Sequence, residues 1–243
     1  MIPNISKTKA MYISASHNNK KLTEHIATNY IKMENGTLAY CSEEKLLGVK
    51  VDNNLNWREQ VEYTMKKCNT NLYLLLRIKS FLNLDSRKLF FNAYILPHID
   101  YCCTIWGNCS QQLLDRVLKF QKRAARIILD KDYNEPSYNL FKELRWMTFS
   151  DRIEYKKAIL IFKSLNEICP SYFHSKIYIH TCYTNELRSA DNAKLLVPKP
   201  RLEFFRKSLC YSGPVVWNKI PKQIRESQNL NEFKKSYLQW KYS

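Results

Sequence analysis

The spacing of apolar residues along this chain changes near Trp57: before it they alternate, and after it they recur every three or four positions. That change predicts a small N-terminal β element followed by helices, a mainly α fold of the α+β class. In the alternating part, Met11 to Ser14 reads as a strand. Tyr30 to Met33 and Thr37 to Tyr40 flank Glu34-Asn35-Gly36, a hairpin signal because Asn-Gly tolerates the positive φ angles of a type I′ turn. Leu46 to Val51 predicts one further short strand.

In the helical part, Val61, Met65, Cys68, Leu72 and Leu75 share one face, and Tyr63, Lys66, Thr70, Tyr73 and Arg77 share the opposite one. Ser86 is placed to cap a following helix from Arg87 to about Ile99, with Pro97 kinking or ending it. From Gln111 to Leu129 the segregation is cleanest. Leu114, Val117, Gln121, Ala124, Ala125 and Ile128 line one side; Arg116, Lys119, Arg123 and Arg126 line the other, with Lys122 at its border. A helix from about Asp151 to Asn166 is apolar on most sides and predicts a central core element, and Leu230 to Trp240 predicts a closing helix carrying Leu230, Phe233, Tyr237 and Trp240 on one side. Polar Ser175 to Pro200 reads as a linker or loose excursion, and Arg201 to Trp217, with its Gly/Pro breaks, as a short hairpin or irregular lid. The expected organisation is thus 1–56, a β element; 57–174, a helical domain; 175–200, a linker; and 201–243, an extension with the closing helix.

Composition supports this and adds a partner class. Glycine is rare, at 4 residues in 243, which favours helices over a turn-rich β fold. Lys and Arg number 39 against 22 Asp and Glu, a formal charge of +17 that favours polyanions. No apolar run is long enough to span a bilayer and Met1 to Lys7 lacks a signal-peptide core, so no membrane partner is expected and the chain is expected inside the cell, in cytoplasm or nucleus. The eight cysteines are scattered without a Cys-x-x-Cys, consistent with reduced thiols.

Several short motifs occur in order. They are Asn4-Ile5-Ser6-Lys7-Thr8-Lys9; Leu47-Gly48-Val49-Lys50-Val51-Asp52 through Leu55-Asn56-Trp57; Leu96-Pro97-His98-Ile99-Asp100-Tyr101-Cys102 with Trp106-Gly107; and Gln121-Lys122-Arg123-Ala124-Ala125-Arg126. Leu144-Arg145-Trp146-Met147, Pro170-Ser171-Tyr172 and Val215-Val216-Trp217-Asn218-Lys219-Ile220-Pro221 continue the series. Together they resemble the C-terminal portion of a non-LTR (LINE-type, jockey- or CR1-like) retrotransposon reverse transcriptase. The resemblance implies the end of the palm, a helical thumb-like bundle and the helical region beyond it. It also implies that Leu47, Gly48 and Val49 correspond to the primer grip, a strand and turn that hold the primer end; Leu46 stands where an aromatic is often found. Such polymerases hold two metal ions on an upstream aspartate and a paired aspartate motif. No Asp-Asp pair occurs here, and the opening motif resembles the segment just after that pair.

Candidate chemistry follows from the basic faces. A rigid helix presenting Arg116, Lys119, Lys122, Arg123 and Arg126 can meet successive phosphates, and no acidic residue is expected to share the stripe; the competing reading is a solvated face. Lys66, Tyr73 and Arg77 combine cations with an aromatic, a set suited to tracking a backbone, unless Tyr73 packs on a neighbouring element. Cys169, His174, His180 and Cys182 lack a zinc-knuckle spacing and read as surface residues rather than a metal site. Neither a Gly-x-Ser-x-Gly elbow nor a phosphate loop is present, and His98 with Asp100 reads as structural, as do Trp57, Trp106, Trp146 and Trp217. The expected function is non-catalytic binding of RNA, DNA or their hybrid, with no cofactor. The alternatives are a decayed reading frame without selected activity and an enzyme completed in trans by a palm fragment.

Overall fold

The computed structural model describes residues 4, 7–13, 31–33, 36–173 and 194–242. It is mainly helical with a small β element, as the spacing predicts. Packing divides the chain into two units: one holds the described residues up to Cys102 together with Cys109–Phe120, the other Cys103–Asn108 with the described residues from Gln121 onward. Among the described residues no helix is long and apolar enough to cross a membrane.

In the first unit, β1 (Lys9–Ala10) pairs in parallel with β4 (Ala39–Tyr40), and β2 (Lys32–Met33) pairs antiparallel with β3 (Gly36–Thr37). The predicted strand at Met11 to Ser14 is therefore displaced: Lys9–Ala10 carries the pairing, Met11 to Ile13 are irregular, and Ser14 lies outside the described residues. The hairpin around Glu34-Asn35-Gly36 forms, but Met33 pairs with Gly36, which puts the glycine in the strand rather than in the turn.

The expected strand from Leu46 to Val51 is instead a second hairpin, β5 (Glu43–Leu46) with β6 (Val49–Asp52), in which Leu46 pairs with Val49. Leu47 (φ 46°) and Gly48 (φ 86°) form its two-residue turn, both with the positive φ that type I′ requires. A run this short and apolar reads as one strand, and only the pairing of Leu46 with Val49 shows that a turn interrupts it. Left-handed geometry costs Leu47 about 1–2 kcal/mol, and the Tyr101 hydroxyl, donating to the Leu47 carbonyl at 2.6 Å, offsets part of it.

Asp52 joins this hairpin to α1 (Arg58–Ile78). Its Oδ1 accepts the amides of Asn54 and Asn56, each at 3.1 Å, and its Oδ2 that of Trp57 at 2.9 Å. The carboxylate thereby satisfies orphan donors at the helix start, where Trp57 offers no side-chain cap. Val61, Met65, Cys68, Leu72 and Leu75 are buried as their spacing predicts, and α1 packs against Phe91, Ile95 and Ile99.

After a 3₁₀ turn (Lys79–Phe81), α2 (Leu84–Phe90) is capped by Asn83, whose Oδ1 accepts the Ser86 amide at 2.8 Å. Asn83 therefore takes the role predicted for Ser86 and starts the helix earlier. The helix continues through a π turn (Phe91–Ile95) into α3 (Leu96–Asp100), so Pro97 does not end it. Proline lacks an N–H and crowds the carbonyl four residues back. That carbonyl lies in the widened π turn.

Among the described residues the second unit contains α4 (Cys103–Trp106), the C-terminal half of α5 (Gln111–Leu129), α6 (Ser137–Leu144) and α7 (Phe149–Leu165), and then four helices between Glu203 and Tyr242. Thr148 caps α7, accepting the Asp151 amide at 3.2 Å. Trp106 stacks on Phe149 at 5.0 Å, and Gly107 lies so close that a Cβ would fall 2.5 Å from Ile153 Cδ1. Trp57, Trp106 and Trp217 are buried anchors, whereas Trp146 is half-buried and edge-on to Phe141.

Residues 201–217 are helical, not a hairpin or lid: α8 (Glu203–Arg206) leads into α9 (Leu209–Lys219), with Gly213-Pro214 inside α9. An interior proline costs about 3 kcal/mol. Burial of Val216 and Trp217 against Ile161 and Phe162 opposes that cost, and Gly213 permits the approach, since a Cβ there would fall 2.7 Å from Ile161 Cδ1. After α10 (Lys222–Arg225), α11 (Leu230–Tyr242) closes the core with Phe233 and Tyr237 buried, as its spacing predicts. Within the segment read as a linker, Leu195 is buried and exchanges two hydrogen bonds with the Asn218 amide, at 2.8 and 2.7 Å. Cys41, Cys68, Cys102, Cys103, Cys109, Cys169 and Cys210 are free thiols.

Candidate nucleic-acid interface

Helix α5 presents the stripe expected from its sequence, with two corrections. Arg116 pairs with Glu62 of α1 at 3.3 Å, and Asp115, held by Gln111 at 2.9 Å, precedes Lys119 by one turn. Acid therefore borders the stripe after all; a single helix's periodicity cannot reveal a carboxylate supplied by another. Arg126 is half-buried, donating to the Glu135 carbonyl at 3.1 Å and lying 5.3 Å from the Tyr133 ring centroid. Lys119 and Arg123 are exposed and Lys122 half-buried, and these three have no partner among the described residues. Lys119, Lys122 and Arg123 are thus unpaired among the described residues, Arg116 is exposed but paired with Glu62, and Arg126 is half-buried.

On α1, Lys66, Tyr73 and Arg77 are all exposed along one face; Tyr73, at 58%, packs on no neighbouring core. Phosphate tracking needs that accessibility. In the β5–β6 turn, Leu47 is 83% exposed and Gly48 is exposed, but Val49 is buried and points into the unit rather than toward a ligand.

Sequence reasoning missed a cluster beside that turn. Lys45 of β5, Lys50 of β6 and Lys67 of α1 lie 5.1, 5.9 and 4.6 Å from the Tyr63 ring centroid, and Lys45 Nζ donates to the Tyr63 hydroxyl at 3.2 Å. Lys67 first, and then Lys45, hold the Tyr63 phenol below its ordinary pKa. His98 of α3 faces the same space, and burial, reinforced by Lys67, holds its imidazole below the usual range. The residues come from four elements with no shared motif. His98 was the one visible signal, within Leu96-Pro97-His98-Ile99-Asp100-Tyr101.

In the second unit, Lys157 is only 6% exposed and donates to Asn108 Oδ1 at 2.6 Å, while Asn108 donates to the Thr104 carbonyl at 3.0 Å. Burial pulls its ammonium down to about 8, against partial support from Glu154 and Cys103. It is a structural cation at the end of α4 rather than part of either basic face. Among the described residues no three His, Cys, Asp or Glu side chains converge as metal ligands; Cys169 is described, and His174, His180 and Cys182 lie outside.

The chain is 27% identical over 126 residues to a probable RNA-directed DNA polymerase from transposon BS of Drosophila melanogaster, a match covering 51% of this chain and 14% of that protein. It is 26% identical over 112 residues to a probable RNA-directed DNA polymerase from transposon X-element of the same organism, covering 45% of this chain and 12% of that protein. No family model matches, and no solved structure matches significantly. The chain therefore carries a region related to the RNA-directed DNA polymerases of retrotransposons.

Proposed function

We propose that this chain is a non-catalytic nucleic-acid-binding segment of a non-LTR retrotransposon reverse transcriptase. It corresponds to the end of the palm, the thumb and the helical region beyond, and it clamps the template–primer duplex within the intact polymerase. The observation that carries this reading is the cation set on one long helix, Lys119 and Arg123 exposed and Lys122 half-buried, without a partner among the described residues. A straight helix sets such groups at intervals of 1.5 Å per residue along its axis, so that several meet one phosphate backbone. Lys66, Tyr73 and Arg77 on α1 add a second contact line, and the turn at Leu47-Gly48 supplies exposed backbone for a strand end. Partners are RNA, DNA or an RNA–DNA hybrid, with a palm fragment able to complete an enzyme in trans.

Chemistry at a polymerase centre needs carboxylates that hold two metal ions. No paired aspartate occurs in this sequence. The purified chain is expected to bind an RNA–DNA hybrid with strongly salt-dependent affinity and to give no primer extension with magnesium or manganese. Template-dependent incorporation by the chain alone, or hybrid binding indifferent to salt, would contradict the proposal.

A further inference from the structure

Between the β5–β6 hairpin and α1 lies a cleft of about 220 Å³ lined by Lys45, Gly48, Tyr63, Lys67, His98 and Tyr101 among others. Its charge is one-sided. Two ammonium groups converge on one phenol, 5.1 and 4.6 Å from the ring centroid, and among the described residues no carboxylate lines the space. The nearby acids are already engaged: Glu59 lies 3.8 Å from Lys50, and Glu44 pairs with Lys9. Gln60 is likewise occupied, accepting the Lys50 amide at 2.8 Å and donating to Thr64 at 3.1 Å, which fixes that part of the wall.

Converging like charges oppose folding; both ammonium groups rest against the Tyr63 ring, and among the described residues neither has an ion-pair partner. An anion in the cleft removes that repulsion and receives hydrogen bonds from both ammonium groups, and the Tyr63 hydroxyl, which accepts from Lys45, keeps its own proton to donate. Size sets the class of ligand. The cleft is smaller than the roughly 300 Å³ at which sites for drug-sized molecules begin, so it suits a single tetrahedral anion rather than a whole nucleotide.

We propose that this cleft is a phosphate site that seats one phosphate group of a nucleic-acid strand beside the Leu47-Gly48 turn. The assignment to a strand rests on the nucleic-acid reading above; the anion chemistry of the cleft does not. His98 is the internal reporter. Its imidazole shares the cleft with Lys67, Tyr63, Lys45 and Tyr101, with Lys50 and Glu59 beyond them; burial first, and then Lys67, holds its protonation down. A bound phosphate opposes the Lys67 contribution and raises the His98 pKa.

The test uses the full chain and inorganic phosphate, followed by two single-stranded oligonucleotides that differ only in a 5′-phosphate or 5′-hydroxyl. NMR titration of His98 should show its pKa rising with phosphate. The double variant Lys45→Gln/Lys67→Gln, whose altered residues are exposed and leave the core intact, should lose the response and weaken strand binding at least tenfold. A preference for the 5′-phosphorylated strand identifies a terminal phosphate, and equal binding an internal one. An unmoved His98, or parental strand affinity in the double variant, overturns the proposal. A His98 response to inorganic phosphate without binding of either strand overturns the nucleic-acid assignment alone, leaving the anion site distinguishable from the failed clamp.

Discussion

At the scale of single residues, Lys157 is a buried cation whose environment opposes its charge. Its folded pKa of about 8 lies below the ordinary 10.5, so between those values the unfolded chain binds the extra proton and stability rises with pH. The contribution is complete above the unfolded value and is lost as pH falls through about 8. Cys68 acts in the opposite direction: burial pushes its thiol from 9.0 up to about 12, so its contribution declines above pH 9, and the raised phenols of Tyr155, Tyr237 and Tyr242 add to that decline nearer pH 10. Comparison with Lys157→Met isolates the lysine. Denaturant unfolding should show the parent gaining on the order of 1–2 kcal/mol relative to that variant between about pH 8 and about pH 9.5. A stability difference independent of pH would show that Lys157 stays charged in the fold. Nothing in the local sequence, Tyr155-Lys156-Lys157-Ala158, distinguishes Lys157 from its exposed-looking neighbour; burial of one lysine and not the other follows from the packing of α7.

At the scale of elements, the long helices were legible because burial imposes a 3.6-residue period that the sequence must repeat over several turns. The bounds of α5 and the buried faces of α1, α5 and α11 follow directly from it. Short elements were not legible in this way. The Leu47-Gly48 turn hides within an alternating run, Asn83 outcompetes Ser86 as a cap, and α9 carries a Gly-Pro pair that local propensity reads as a break. In each case a tertiary partner decides: Tyr101 on the turn, and Ile161 beneath Gly213. Gly213 provides the test. Gly213→Val places its first side-chain atom 2.7 Å from Ile161 Cδ1, so it should destabilise the protein by about 1–3 kcal/mol through overpacking. Combination with Ile161→Ala should recover part of that loss, because the cavity accepts the new side chain. Unchanged stability in Gly213→Val alone would show that α9 does not press on α7 as described.

At the scale of the whole molecule, a charge of +17 is divided between cations that hold the fold and cations that face solvent. Sequence placed five basic residues on α5 but could not show their neighbours: Glu62, from another helix, pairs with the still-exposed Arg116, and Tyr133, from the following loop, lies beside half-buried Arg126. The cleft around Tyr63 was invisible for the same reason, its members arriving from β5, α1 and α3. The most direct test of the clamp compares the parent with Lys119→Gln/Lys122→Gln/Arg123→Gln in duplex DNA binding across a salt series. Each lost phosphate contact should reduce the slope of log K against log salt by about 0.9 on B-form DNA, so the triple variant should lose about 2.7 in slope while keeping the parental unfolding transition. A folded triple variant with the parental affinity and slope would contradict the account, leaving the stripe as a solvated face.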